Sequence, residues 1–254
     1  FRREALMEAF DRLVWLMETL RGDEGCPWDR KQKIQAFKTF MLEEVYEIIE
    51  AIEGEDLPEL KEELGDLLFH IVFIAQICKE RGAFDIKDII ENVYKKMYHR
   101  HPHVFQKEDL GAPIEVMWEE LKRKEKEDNY SLLSHIPPSM PALLRAYVIT
   151  KRAARVGFDW PKIQDVYEKM EEEIVELRNA EAAGNKAHMR EEIGDLLFTI
   201  VNIARFLSVD PEDALRATSD KFTRRFSYIE ENTDIRSASL ETMDRLWNEA
   251  KDKE

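Results

Sequence analysis

Cysteine, glycine and proline are all scarce, and so are long apolar runs and positive charge. Two cysteines in 254 residues, Cys26 in a loop-like stretch and Cys78 inside an apolar run, are too few for a disulfide framework and fit a reducing, cytoplasmic setting. Nine glycines and nine prolines beside 36% charged residues fit a helix-rich chain. No segment alternates with period two over strand length, which removes the sheet classes. The longest apolar run, LLFHIVFIAQIC at 67–78, is too short to span a bilayer. The opening stretch FRREALMEAFDRLVWLMETLRG spaces Leu6, Phe10, Leu13, Met17 and Leu20 helically among charges, without the regions of a signal peptide; a membrane is not an expected partner. A net charge of −15 argues against nucleic acid, which is bound by neutralising its phosphates with Lys and Arg. A small polyanion can still bind where metal and a few local cations offset the field.

What the chain does have is helical periodicity almost throughout. The pattern predicts an all-α fold with helices over 2–21, 31–53, 58–81, 86–100, 113–128, 140–155, 162–183, 186–207, 211–230 and 239–252. Pro58, Pro113, Pro141, Pro161 and Pro211 fall at proposed starts, where a missing N–H costs nothing. NYSLLSHIPPSMPA at 129–142, with three prolines, reads as a linker between domains 1–130 and 131–254. The two domains are related, because residues 61–76 and 190–205 are identical at 11 of 16 positions. A tandem duplication of a four- or five-helix bundle unit accounts for this.

The most repeated feature is acidic. Glu44, Glu47, Glu63 and Asp66 recur as Glu173, Glu176, Glu192 and Asp195, each displaced by 129 positions. Within each set the first two and the last two are i, i+3 pairs, so each pair leaves one face of its helix. The connection GEDLPE is short enough to make the two helices antiparallel neighbours. A lone acidic pair reads as a solvated helix face, whereas two crossed pairs repeated at fixed spacing read as a cage for a cation. Carboxylates gathered at a helix interface repel unless a cation joins them. An all-oxygen donor set suits Mg²⁺ or Mn²⁺ rather than Zn²⁺. The Glu-x-x-His element of di-iron bundles is missing, and His70, matched by Thr199 in the repeat, reads as a packing residue.

EExxE followed by ExxD across a helical hairpin, with CPWD at 26–29, KRAARVGFDW at 151–160, REEIGDLLF at 190–198 and KFTRRF at 221–226, resembles the MazG family of all-α nucleoside triphosphate pyrophosphohydrolases over nearly the whole chain. The chain departs from that family at 29–40, where Lys33, Ile34 and Ala36 replace the usual Thr-His and Ser. The resemblance implies Mg²⁺-dependent hydrolysis of a nucleoside triphosphate between the α and β phosphorus, giving monophosphate and pyrophosphate, in a homodimer. The eight acids would hold the metal, with Glu44 or Glu173 accepting a proton from water. Cations for the phosphates are offered by the i, i+4 pairs Lys96/Arg100 and Lys221/Arg225, with Arg224 added in the second half. Trp118/Lys122 and Trp247/Lys251 could pair base stacking with a phosphate contact; either tryptophan could equally be a core residue. On these grounds the second half is expected to carry most of the turnover. Two alternatives stand beside this reading. One is a narrower dUTP/dCTP or phosphoribosyl-ATP pyrophosphatase; the other is a metal-stabilised helical binding protein without turnover.

Overall fold

A computed structural model describes residues 2–107, 117, 131–134 and 136–253. Among them the chain is helical without a strand, as its periodicity predicts, and it divides into two compact units, Phe1–Asp109 and Leu110–Glu254. The helix expected over 113–128 lies, apart from Met117, outside the described residues.

In the first unit α1 (Arg2–Arg21) leads through the single turns α2 (Pro27–Lys31) and a 3₁₀ turn (Ile34–Ala36) to α3 (Phe37–Glu53), α4 (Leu57–Glu80), α5 (Ile86–Arg100) and α6 (Pro102–Phe105). The helix expected over 31–53 therefore begins six residues late. Gln32 and Lys33 are extended, with ψ of 140° and 154°, and Ile34 is the one apolar residue between Trp28 and Ala36, too little to hold a helical face on the core. Helices α3 and α4 form an antiparallel hairpin. Its turn puts Glu55 at φ 52°, and Asp56 closes the next helix by accepting from the Glu59 N–H at 3.1 Å, an N-cap. The core is Met17, Phe37, Val72, Phe73 and Ile77, so α1 seals the hairpin with its apolar stripe. Arg21 runs over the Phe73 ring at 5.2 Å and forks onto Glu80 at 2.8 and 2.6 Å, which holds the Glu80 carboxyl below its ordinary range.

The second unit contains α7 (Ala142–Arg155), α8 (Ile163–Ala182), α9 (Lys186–Phe206), α10 (Pro211–Asn232) and α11 (Leu240–Lys251). Here α8 and α9 form the matching hairpin. Gly184, at the position of Glu55, takes φ 66°, where glycine carries no Cβ penalty. Asn185 then caps α9 by accepting from the His188 N–H at 3.2 Å. Helix α7 packs on α9 and α10, and α10 pairs with α11. Val166, Ala180, Val201, Ile229, Leu246 and Ala250 are buried, and among them lies Asn202, wholly removed from solvent.

Candidate metal centres and nucleotide-binding residues

Each hairpin brings carboxylates together in the way its spacing predicts. In the first unit oxygens of Glu44, Glu63 and Asp66 lie within 4.8 Å of one another; in the second, oxygens of Glu173, Glu176 and Glu192 do. Glu47 and Asp195, the remaining members of the two expected sets, are outside these mutual groupings. Both are nevertheless coupled to their clusters by position, one helical turn from Glu44 and Glu192 respectively.

Electrostatics in the clusters show the cost of crowding like charges. Burial, a hydrogen bond to Glu44 and the charges of Glu47, Glu44 and Glu59 push Glu63 up to about 7. Burial, followed by Glu44 and its acidic neighbours, also raises Glu47. Glu192 is raised by burial and by Glu176, against the opposing pull of His188. In each cluster one buried oxygen, Glu44 Oε2 or Glu192 Oε2, has no hydrogen-bond partner. A buried orphan carboxylate oxygen in an all-oxygen set is what a hard divalent cation would satisfy. The residues present therefore fit Mg²⁺ or Mn²⁺.

The partners of the acids differ between the halves. His70 Nε2 lies 3.1 Å from Glu44 Oε1, and its ring stacks on Phe40 at 5.7 Å and meets Phe37 edge-on. His70 packs as expected and also reaches a cluster acid, which its mismatch with Thr199 had obscured. In the second half Lys169 Nζ is 2.8 Å from Glu173 Oε1 and 2.9 Å from Glu172 Oε1, and these hydrogen bonds raise its affinity for the proton. His188 Nε2 reaches Glu192 Oε1 at 2.7 Å. Lys169 and His188 escaped the sequence reading, although the i, i+4 spacing of each to its glutamate was a signal in plain view.

The expected phosphate ligands of the second half gather on α10 and α11. Arg225 lies over the Trp247 ring at 5.4 Å, and Phe222 packs on the same indole at 5.1 Å. Trp247 is thus half-buried and already carries a guanidinium. Arg224 and Arg225 line a small cleft with Tyr228, Ala250 and Lys253. Lys253 Nζ bonds the Tyr228 hydroxyl at 2.7 Å. Lys221 and Lys251 are exposed, as is Lys96 on α5, while Arg100 ends that helix half-buried. Trp118 and Lys122 lie outside the described residues.

A feature not anticipated is a cavity of about 530 Å³ in the second unit, walled by Ile149, Thr150, Phe158, Trp160, Phe198, Asn202 and Arg205 among others. Phe198 and Asn202 continue the face of α9 that carries Glu192 and Asp195, at successive steps of three or four residues. Arg205 forks onto Asp159 at 2.8 and 2.5 Å and donates to Asn202 Oδ1 at 3.3 Å, while Asn202 Nδ2 donates to the Phe198 carbonyl at 3.1 Å. Arg205 Nε is buried without a partner. The first-half position that matches Asn202 is Phe73, a packed ring 4.7 Å from Phe37.

Duplicated helical hairpins thus hold two carboxylate clusters that could bind a metal ion, and the second unit also has a pocket with aromatic walls. The sequence profile of the MazG nucleotide pyrophosphohydrolase domain matches residues 32–105 and again 162–229. The nucleoside triphosphate pyrophosphohydrolase/pyrophosphatase MazG of Thermotoga maritima is 45% identical over 95% of both chains. The nucleoside triphosphate pyrophosphohydrolase of Escherichia coli K12 is 42% identical over 98% of this chain and 99% of its own. An uncharacterised Bacillus subtilis protein is 44% identical over 98% of this chain, which spans 53% of that protein. The chain belongs to the MazG nucleotide pyrophosphohydrolase family.

Proposed function

We propose that the protein hydrolyses nucleoside triphosphates between the α and β phosphorus, releasing monophosphate and pyrophosphate, and that it does so with Mg²⁺ or Mn²⁺ held mainly in the second cluster. The observation that carries this reading is the Glu173/Glu176/Glu192 cluster, held in the same unit as a cavity lined by Phe198, Asn202 and Arg205 of α9, the helix that also carries Glu192. When bound, the cation supplies charge neutralisation at the phosphates and a more acidic water. Glu173, Glu176, Glu192 and Asp195 would hold that cation; in the first half Glu44, Glu47, Glu63 and Asp66 would do the same. A cluster carboxylate, Glu173 here and Glu44 in the first half, would take the proton from the attacking water. Lys221, Arg224 and Arg225 are the cations offered to the phosphate chain.

The cavity suits a nucleobase. Its apolar walls, with Phe158, Trp160 and Phe198, offer stacking surface. A pocket of this kind also fits a broad pool-cleaning enzyme as well as a narrow dUTP, dCTP or phosphoribosyl-ATP pyrophosphatase, and a panel of triphosphates separates these. The homodimer remains part of the proposal. Leu6, Met7 and Trp15 are more than half exposed on α1, and a second copy would cover them, which sedimentation velocity tests.

Hydrolysis of a triphosphate in ¹⁸O-water distinguishes the site of attack. The proposal expects label in the monophosphate and none in pyrophosphate, and loss of turnover in chelator. Label in orthophosphate, with a nucleoside diphosphate as first product, would refute it.

A further inference from the structure

The two clusters differ in what holds their first glutamate. Glu44 Oε1 lies 3.1 Å from His70 Nε2, across the hairpin from α3 to α4. In the second half Thr199 stands at the place of His70, buried and with a shorter side chain. The His70–Glu44 pair keeps only 15% and 13% of its side chains in solvent, so water screens the contact little. Phe40 stacks on the imidazole at 5.7 Å, and Phe37 and Phe69 meet it edge-on at 5.6 and 5.9 Å. Three rings thus fix the imidazole plane.

Two buried atoms at this contact have no hydrogen-bond partner, His70 Nδ1 and Glu44 Oε2. The first decides where the imidazole proton sits. A proton on Nδ1 would be a buried donor without an acceptor. A proton on Nε2 alone leaves at Nδ1 only an idle acceptor and gives Glu44 Oε1 a donor. The second atom shows what this bond does. With Oε1 engaged, Oε2 is the Glu44 oxygen left for a cation, in the cluster that gathers Glu44, Glu63 and Asp66 within 4.8 Å. His70 stands outside that mutual grouping. We propose that His70 is a positioning residue of the first metal centre, donating its Nε2–H to Glu44 Oε1 and so turning Oε2 towards the divalent cation. This rests on the reading of the cluster as a metal centre. A carboxylate tethered at one oxygen binds through the other, and losing such an outer partner costs metal affinity about 10- to 100-fold. Thr199 lacks the reach and the planar N–H of an imidazole, so the device belongs to the first half.

Mn²⁺ binding followed by electron paramagnetic resonance on the full chain tests this apart from turnover. In a background carrying Glu173→Gln and Glu192→Gln, which leaves the first cluster as the metal centre under study, His70→Leu should weaken Mn²⁺ about 10-fold or more. His70→Gln, whose amide N–H can stand near the place of Nε2, should stay within about three-fold of the background chain. Melting separates positioning from packing. The stabilisation that Mn²⁺ gives should shrink in His70→Leu and survive in His70→Gln, whereas a residue that only packs would cost the same with metal and in chelator. A readout that needs no variant at position 70 is the ¹⁵N spectrum of the imidazole in the Mg²⁺-loaded chain, which should show the proton on Nε2. Unchanged Mn²⁺ affinity in His70→Leu would overturn the proposal, and so would a proton on Nδ1. A background chain that bound no Mn²⁺ would overturn the metal reading of the first cluster together with it, whereas Mn²⁺ binding that ignores position 70 would remove the role of His70 alone.

Discussion

The first and second halves repeat the same hairpin, and three of their differences fall on one face of its second helix. Of the five mismatches between 61–76 and 190–205, three are His70/Thr199, Phe73/Asn202 and Gln76/Arg205, spaced by three residues and so on one face of the helix. In the first half that face is spent on packing: Phe73 is 1% exposed and meshes with Phe37, Phe69 and Met17. In the second the same face backs a cavity of about 530 Å³, with an amide and a guanidinium where the first half has rings and a glutamine. Both halves keep an arginine fork, Arg21 on Glu80 and Arg205 on Asp159, though the arginines come from different helices. A duplicated chain has thus kept its acids twice while filling one pocket and leaving the other open.

Several experiments would break or sharpen that contrast. The largest effect is expected from metal removal: exhaustive chelation should abolish pyrophosphate release, and added Mg²⁺ or Mn²⁺ should restore it. Next comes Glu192→Gln, which removes the oxygen left without a partner in the second cluster and should lower kcat on the order of 100- to 1,000-fold, the scale of losing a charge-stabilising group. The equivalent Glu63→Gln should leave more than about half of kcat, if the first cluster is not the working one. Asn202→Phe copies the first half into the second. It should raise KM for triphosphates about 10- to 100-fold with a smaller change in kcat, because the cavity is filled while the acids stay in place. An unchanged KM would show that the cavity is not the base site.

The smallest effect is a dependence of stability on pH in the metal-free protein. Glu63 is pushed up to about 7 from the ordinary 4.5, so the folded chain holds this proton more tightly than the unfolded one. The stability it contributes is complete below the ordinary value and is lost as pH rises to about 7. Melting in chelator should therefore fall over that window, and Glu63→Gln should flatten the fall. Metal binding at this cluster has the opposite slope, since the cation needs the ionised carboxylate.

Much of this was legible in the sequence. Helical periodicity gave the class, the 129-residue echo gave the duplication, and i, i+3 pairing on two crossing helices predicted that the acids meet. What could be read was whatever repeats, since repetition separates a constrained pattern from a drifting surface. What escaped was set by single unrepeated residues. Lys169 and His188 have no counterpart in the first half, so no echo pointed to them. The late start of α3 followed from a stretch with too few apolar residues to show a period. The cavity was invisible because it is made by what Asn202 does not fill.

The central claim is that the second half supplies the turnover, and paired inactivation tests it most directly. One full-length variant would carry Glu44→Gln and Glu63→Gln, the other Glu173→Gln and Glu192→Gln, with pyrophosphate release measured for both under saturating Mg²⁺ and triphosphate. The account predicts that the first variant keeps a substantial fraction of the parent kcat and the second falls by about 100-fold or more. A first-half variant that loses most of its activity while the second-half variant keeps it would contradict the account and return the open cavity to the status of a packing difference.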